Sequence, residues 1–318
     1  MLETCPQHGI LPNASYFLSN LSPMDKSLTI AGTVFTTITI ILASLEWSKI
    51  YSYVSSEKLR AKLYWIISVY PILALTSLSG LLAPRTAVII NDFAILFLLS
   101  ANVVFISAAK QLLRGRHNLV SRMESESEEI IARNPPCCCC CLCLPTIKPT
   151  ISNIKKFEWL VLQAPIVKLL ILFVELYLST EDNMKLRIAG IFNVPAILLS
   201  VYGCHSFMRM VGNKLDDYKF GTIFKLLDLT LLLGSAQEPL LFQNLLGHGF
   251  KVFSCTELLS TVDRATYIWN FTLICQSLLL SGFMFLVLLP KKNSLFGGQE
   301  DSQSQRLALA EKVELQEP

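Results

Sequence analysis

DFAILFLLSANVVFISAA, residues 92–109, decides the fold of this chain. Between Asp92 and Lys110 it holds no charged side chain. A helix needs roughly 17–25 mostly apolar residues to cross a bilayer's hydrocarbon core. Apolar residues fill both parities of the run, without the period-2 alternation of a barrel strand. Only helices and closed barrels satisfy every backbone group in lipid, so this segment reads as a spanning helix.

Outward from it lie four runs of the same kind, at 27–45, 64–83, 188–208 and 265–289. Two weaker runs, 158–178 and 222–246, are interrupted by charge. Lys168 and Glu175 break the first; Lys225, Asp228 and Glu238 break the second. The expected fold is an all-α integral membrane protein of seven transmembrane helices. Composition agrees: 52% of residues are hydrophobic and 16% charged, against about 25% charged in soluble domains. A net charge of +3 with dispersed basic residues argues against nucleic acid as a partner. The first twenty residues carry no basic n-region and no apolar h-region, so targeting falls to the first spanning helix.

Orientation follows from lysine and arginine, which accumulate on the cytoplasmic side. With the N-terminus outside and the C-terminus inside, the inner segments hold 19 and the outer segments six. The chain divides into an extracellular segment 1–26, a transmembrane domain 27–290 with a cytoplasmic loop 110–157, and a cytoplasmic tail 291–318. The triplets beginning at Asn13 and Asn20 are N-glycosylation acceptors on the outer side. A third, at Asn270, falls within the last helix and reads as chance.

The loop 110–157 carries six of the ten cysteines, Cys137, Cys138, Cys139, Cys140, Cys141 and Cys143, with Pro136 before them and Pro145 after. Adjacent cysteines are too tightly placed to pair among themselves, and paired CxxC units for zinc are missing. Beside a membrane such a cluster reads as S-acylation sites, with covalent palmitate drawing the loop to the inner leaflet. The acidic stretch Glu124 to Glu129 reads as a helix in water. Cys5 and Cys255 fall on the oxidising side, where they either bridge or stay as thiols.

A charge inside a membrane is costly, so each is a functional candidate. The substrate-binding candidates are Lys168, Lys225, Asp228, Gln237, Arg85 and Glu46. The cations would attract an anionic group while apolar walls take an amphipathic body. The plainer reading is ion pairing: Lys168 with Asp228 or Glu175, and Lys225 with Asp228. Enzyme signatures are missing: the chain has no HExxH, no GxSxG and no phosphate loop. No catalytic residue, cofactor or metal is expected.

Pro136 through Cys141, Pro145, Lys155-Lys156, Leu162-Gln163-Ala164-Pro165 and Lys168 resemble the alpha subunits of the organic solute transporter family. Leu45-Glu46, Pro84-Arg85, Lys219-Phe220 and Gln237 fit the same pattern. The chain departs from it in having fewer cysteines after the first five and more charge around Asp228 and Glu238. The resemblance implies facilitated diffusion of amphipathic anions such as bile acids and conjugated steroids. It also implies a single-pass beta subunit as partner and the basolateral plasma membrane of epithelia; membrane lipids and a higher oligomer are further partners to be expected. Two other classes compete. A seven-helix receptor shares the topology, but the chain lacks an acidic-Arg pair after the third helix and an Asn-Pro-x-x-Tyr in the last. A non-transporting scaffold or trafficking protein would show no flux.

Overall fold

The structure, a computed structural model, describes residues 11–125, 129–131, 146–179, 186–250, 252–289 and 293–296. Short α1 (Ala14–Ser19) opens on Asn13, whose side chain accepts the Tyr16 N–H at 2.8 Å. Ser22 caps α2 (Pro23–Tyr53) in the same way, with Pro23 in the first turn where no N–H is needed.

The buried residues of α2 are Asp25, Thr29, Gly32, Thr36, Thr39, Ala43, Glu46 and Ile50, alternating in steps of four and three. That is the narrow seam of a helix touching its partners along one line. Most of them are small. Lipid tails are as apolar as leucine, so helices in a membrane associate through close backbone approach instead. A Cβ on Gly32 would stand 3.2 Å from Leu81 and 3.3 Å from Ile274. Ile30, Val34, Ile38, Ile41 and Leu45 point away from the protein. In water they would form an aggregation patch; in a bilayer they meet acyl chains.

The second span is α3 (Glu57–Ile67) followed by α4 (Val69–Leu82), bent at Ser68. Pro71 has no N–H to give the Ile67 carbonyl, and this loosens the ladder at the bend. The span begins at Glu57, earlier than residue 64, because its first turns are amphipathic rather than uniformly apolar. A 3₁₀ turn at Pro84–Thr86 leads into α5 (Ala87–Leu112). α7 (Ile151–Ser179) and α8 (Leu186–Val211) each run through an internal proline, Pro165 and Pro195. α9 (Phe220–Ser235) gives way at Ala236 to a π-helix, Gln237–Gly249. Pro239 cannot donate to the Ser235 carbonyl, so α-helical pairing stops there. α10 (Thr261–Val287) starts at a Ser260 cap.

Six helices among the described residues are long and apolar enough to cross a membrane. They correspond to α2, α3 with α4, α5, α7, α8 and α10. The expected seventh, at 222–246, is the composite of α9 and the π-helix and does not meet that standard.

α5 is the hub, packed against α3, α4, α7 and α9, while α10 packs against α2, α4, α9 and the π-helix. α7 and α8 lie together along one side. A Cβ on Gly203 of α8 would fall 2.9 Å from both the Phe157 carbonyl oxygen and the Val161 side chain. Phe17 and Leu21 close one end of the bundle over Leu81, Leu259, Tyr267 and Ile274. The Asp25–Arg264 ion pair, at 2.8 Å, joins α2 to α10 at that end.

The opposite end carries α6 (Arg116–Ser125) and a two-stranded antiparallel ribbon, Ile130–Ile131 with Thr146–Ile147. α6 packs onto the bundle, burying Leu119, Val120 and Met123. Of the acidic stretch it includes Glu124, while residues 126–128 lie outside the described residues. The cysteine segment lies outside the described residues. The ribbon brings its two flanks, 131 and 146, together. The start of the tail is docked rather than free. Asn293 donates to the Tyr218 carbonyl at 3.0 Å, and Phe296 meets Tyr53 edge-on at 6.0 Å.

Replacing Gly203 with Leu is expected to push α8 off α7 and cost about 1–3 kcal/mol through overpacking. A lowered melting temperature of the detergent-solubilised protein would register this; an unchanged one would count against the close contact.

Candidate functional site

Lys168 sits on α7 and is 2% exposed. Its stem runs along apolar surface, and its ammonium lies 2.5 Å from Oδ1 of Asp92, near the start of α5. The partner is thus neither Asp228 nor Glu175. Glu175, two turns further along α7, stands beside both Asp92 and Lys168, with its Oε2 unpartnered among the described residues. Glu238, in the first turn of the π-helix, also feels the Asp92 charge. Its Oε1 accepts from Gln243 at 3.0 Å and from the Thr266 hydroxyl at 2.9 Å. One lysine therefore faces two carboxylates, Asp92 of α5 and Glu175 of α7, and a third, Glu238 of the π-helix, interacts with Asp92.

The π-helix is what presents Glu238 inward. Its wider turn carries five-residue spacing, which sets Gln243 against Glu238 and places the Asn244 amide on the Pro239 carbonyl. Such segments cost hydrogen-bond quality and recur at functional sites. A cavity of about 150 Å³ adjoins it, lined in part by Glu238, Gln243, Thr266 and Asn270. Asn270 is fully buried, so its triplet cannot be a glycosylation acceptor in this fold. Gly80 makes room for it: a Cβ there would stand 2.9 Å from the Asn270 amide nitrogen.

Asp228 on α9 pairs with His205 on α8 at 3.1 Å, not with Lys225. Lys225 points outward and is exposed, as is Arg85 in the turn before α5. Gln237 is half-buried, with its Oε1 unpartnered among the described residues. Glu46 is 1% exposed, lies near Tyr70, and has no hydrogen bond to either oxygen among the described residues. Lys49, one turn on, places its ammonium 3.3 Å from the Phe285 ring centre instead. Of the six substrate-binding candidates, only Lys168 therefore joins the α5–α7 charge network.

A second charged cluster holds the other end of the α5–α7 seam. Glu158 of α7 accepts from Lys110 of α5 at 2.9 Å and takes Arg116 in a two-pronged contact, 2.9 Å and 2.5 Å. Arg–carboxylate forks of this kind are the stronger ion pairs. Asp92 was legible as the charge that opens its apolar run, but its partner was not, and neither His205 nor Glu158 was singled out from sequence. Antiparallel packing of α5 on α7 is the fact that turns helix ends into partners.

Asn13 and Asn20 are exposed at the two ends of α1. Cys5 lies outside the described residues. Cys204 and Cys275 are free thiols within helices, and Cys255 lies in the loop before α10. Among the described residues no group of His, Cys, Asp and Glu could hold a metal ion.

A bundle with an apolar exterior, buried charges and a polar cavity defines a multi-pass membrane protein. Its sequence places it in a family: residues 28–293 match the family described as Organic solute transporter Ostalpha, and the chain belongs to it. It is 36% identical to organic solute transporter alpha-like protein 3 of Caenorhabditis elegans, over 94% of this chain and 87% of that one. It is 26% identical to alpha-like protein 2 of the same organism, over 93% and 87%. No solved structure matches it significantly. The family is one of solute transporters and not an enzyme class.

Breaking a buried ion pair strands the remaining charge and typically costs 3–5 kcal/mol. Lys168→Gln alone should therefore lower thermal stability by roughly that amount, and Asp92→Asn added to it should restore most of the loss. Fluorescence-detected size-exclusion after heating reads this. Equal melting of single and double variants would show that the two groups are not coupled.

Proposed function

We propose that this chain is the alpha subunit of a facilitative transporter for amphipathic organic anions, bile acids and conjugated steroids among them. The observation that carries the reading is the buried Lys168, held by Asp92 with Glu175 beside both, in a family of solute transporters. Lys168 faces more carboxylate than it can neutralise. An arriving substrate anion competes with Asp92 for the ammonium. Exchange of partners on one lysine gives a binding step that is reversible and needs no chemical energy. The substrate's apolar body lies along the helix faces. The gradient alone sets the direction of flow.

The seventh crossing is the α9 and π-helix composite, with the N-terminus outside and the C-terminus inside. A helix interrupted beside a binding site is a recurring feature of transporters, since freed backbone groups are tolerated where they line a cavity. The acylated cysteines Cys137 to Cys141 and Cys143 tie the cytoplasmic loop to the inner leaflet. A Cys5–Cys255 bridge and glycans at Asn13 and Asn20 mark the outer side. A single-pass beta subunit completes the complex, which works at the plasma membrane.

Taurocholate and estrone-sulfate uptake should appear in cells expressing this chain together with a beta subunit, and not with either alone. Absence of uptake with surface expression confirmed would favour a non-transporting scaffold. The Asp92→Asn, Lys168→Gln double variant should reach the surface yet lose at least tenfold in uptake, by the loss of one charge-assisted contact. Uptake that follows surface level would make the pair purely structural. Serine at all six clustered cysteines should abolish acyl-exchange labelling; retained labelling would sink the lipid-anchor assignment.

A further inference from the structure

Where α5 turns into α6, the chain builds a pocket of cations that the transport reading does not use. A depression of about 470 Å³ is lined by Lys58, Lys62, Lys110, Arg114 and Arg116. A neighbouring cavity of about 370 Å³ shares Lys110 and Arg116 and adds Lys155. Against these six cations the two linings offer one acid, Glu158, already engaged by Lys110 and Arg116. Lys58 and Lys110 are both like-charged neighbours of Lys62. Lys62 is held among them by the Ser107 carbonyl at 3.0 Å and Gln111 Oε1 at 2.7 Å. The fold thus spends hydrogen bonds on keeping positive charges together.

The backbone points the same way. α5 ends with the Gly115 N–H on the Lys110 carbonyl and the Arg114 N–H on the Gln111 carbonyl. In that cap the left-handed position usually holds glycine. Here it holds Arg114, at φ 57°, with Gly115 following at φ 103°. A side chain in that conformation is a local cost, and this one carries a charge to the pocket rim. The second cavity continues from the cations onto apolar surface, Val103, Ile106, Trp159 and Leu162, with Trp159 and Leu162 exposed on the bundle's exterior. A cationic pocket that opens onto a lipid-facing apolar groove suits a phospholipid with a multiply phosphorylated headgroup.

We infer that the α3–α5–α6 corner is a binding site for a polyphosphoinositide of the inner leaflet, its phosphates among Lys58, Lys62, Arg114 and Arg116 and its acyl chains along the α5–α7 groove. Single-charge substrates leave most of these cations unanswered, whereas a bisphosphate headgroup answers them. The inner-leaflet placement rests on the proposed topology; the binding itself does not, and it is read without any transport assay.

The test uses the full chain, purified in detergent, and a fluorescent short-chain phosphatidylinositol 4,5-bisphosphate followed by anisotropy. Vesicles of phosphatidylserine, matched in total charge, and of phosphatidylcholine serve as comparisons. The expected result is saturable binding of the bisphosphate lipid at least tenfold tighter than phosphatidylserine, displaced by soluble inositol trisphosphate. Arg114→Gly with Lys58→Ala should weaken it about 20- to 30-fold, from the contribution of each basic side chain near an anionic surface. Neither residue is an ion-pair partner among the described residues, and glycine suits the left-handed turn, so melting temperature should not fall. Equal affinity for phosphatidylserine at matched charge would overturn the site in favour of diffuse attraction. Unchanged binding by the double variant would overturn it too, as would displacement by taurocholate but not by inositol trisphosphate.

Discussion

A charge in hydrocarbon must find a partner, and the Lys168–Asp92 pair is where this fold meets that demand most severely. Lys168 is almost wholly enclosed, so α7 can approach α5 only in the register that brings Asp92 to its ammonium. Glu158 with Lys110 and Arg116 fixes the opposite end of the same seam. Two charged clusters at the ends of one antiparallel helix pair set both its direction and its register. α8 is then placed by α7 through the close approach at Gly203, and α9 by α5 and α10. Apolar packing in a bilayer carries little of this specificity, because lipid offers every helix an equally apolar neighbour.

The two sides of the bundle solve the membrane problem differently. α2 touches its neighbours through small residues and threonines on a strict seam and leaves the rest of its surface to lipid. α10, α4 and α2 form a closely packed three-helix unit whose buried polar groups, Glu46, Tyr70, Ser77 and Asn270 among them, are sparsely bonded. The other side, α5 with α7, concentrates the buried charge, and the small polar cavity lies between the π-helix, α10 and the start of α5. The transport reading assigns the exchange of partners to this second side and the rigid frame to the first. The π-helix packs against α9 and α10.

Much of this was legible in the sequence. Apolar run length alone finds the six helices long enough to span, since a bilayer imposes a length that water does not, while the seventh run, 222–246, falls short. The family was legible too, in the proline-cysteine block and its surroundings. Lys168 stood out for a physical reason: a charge amid leucines has no cheap explanation. Lys225 stood out for the same reason and is simply exposed, because Ile223, Phe224 and Leu227 take the core side of α9 and leave position 225 to the surface. Asp228 found His205 on another helix, a partner that no sequence spacing encodes.

The sequence by itself determined that this is a helical membrane protein, which six helices are long and apolar enough to cross a bilayer, and which family it belongs to. All three follow from local hydrophobicity and from motif, which are properties of consecutive residues. Only the tertiary structure decided that Asp92 is the partner of Lys168, that Glu238 turns inward on a π-helix, and that Lys58, Arg114 and Arg116 share one pocket. Each of these depends on the order and tilt in which helices pack, and that is fixed by contacts between residues far apart along the chain.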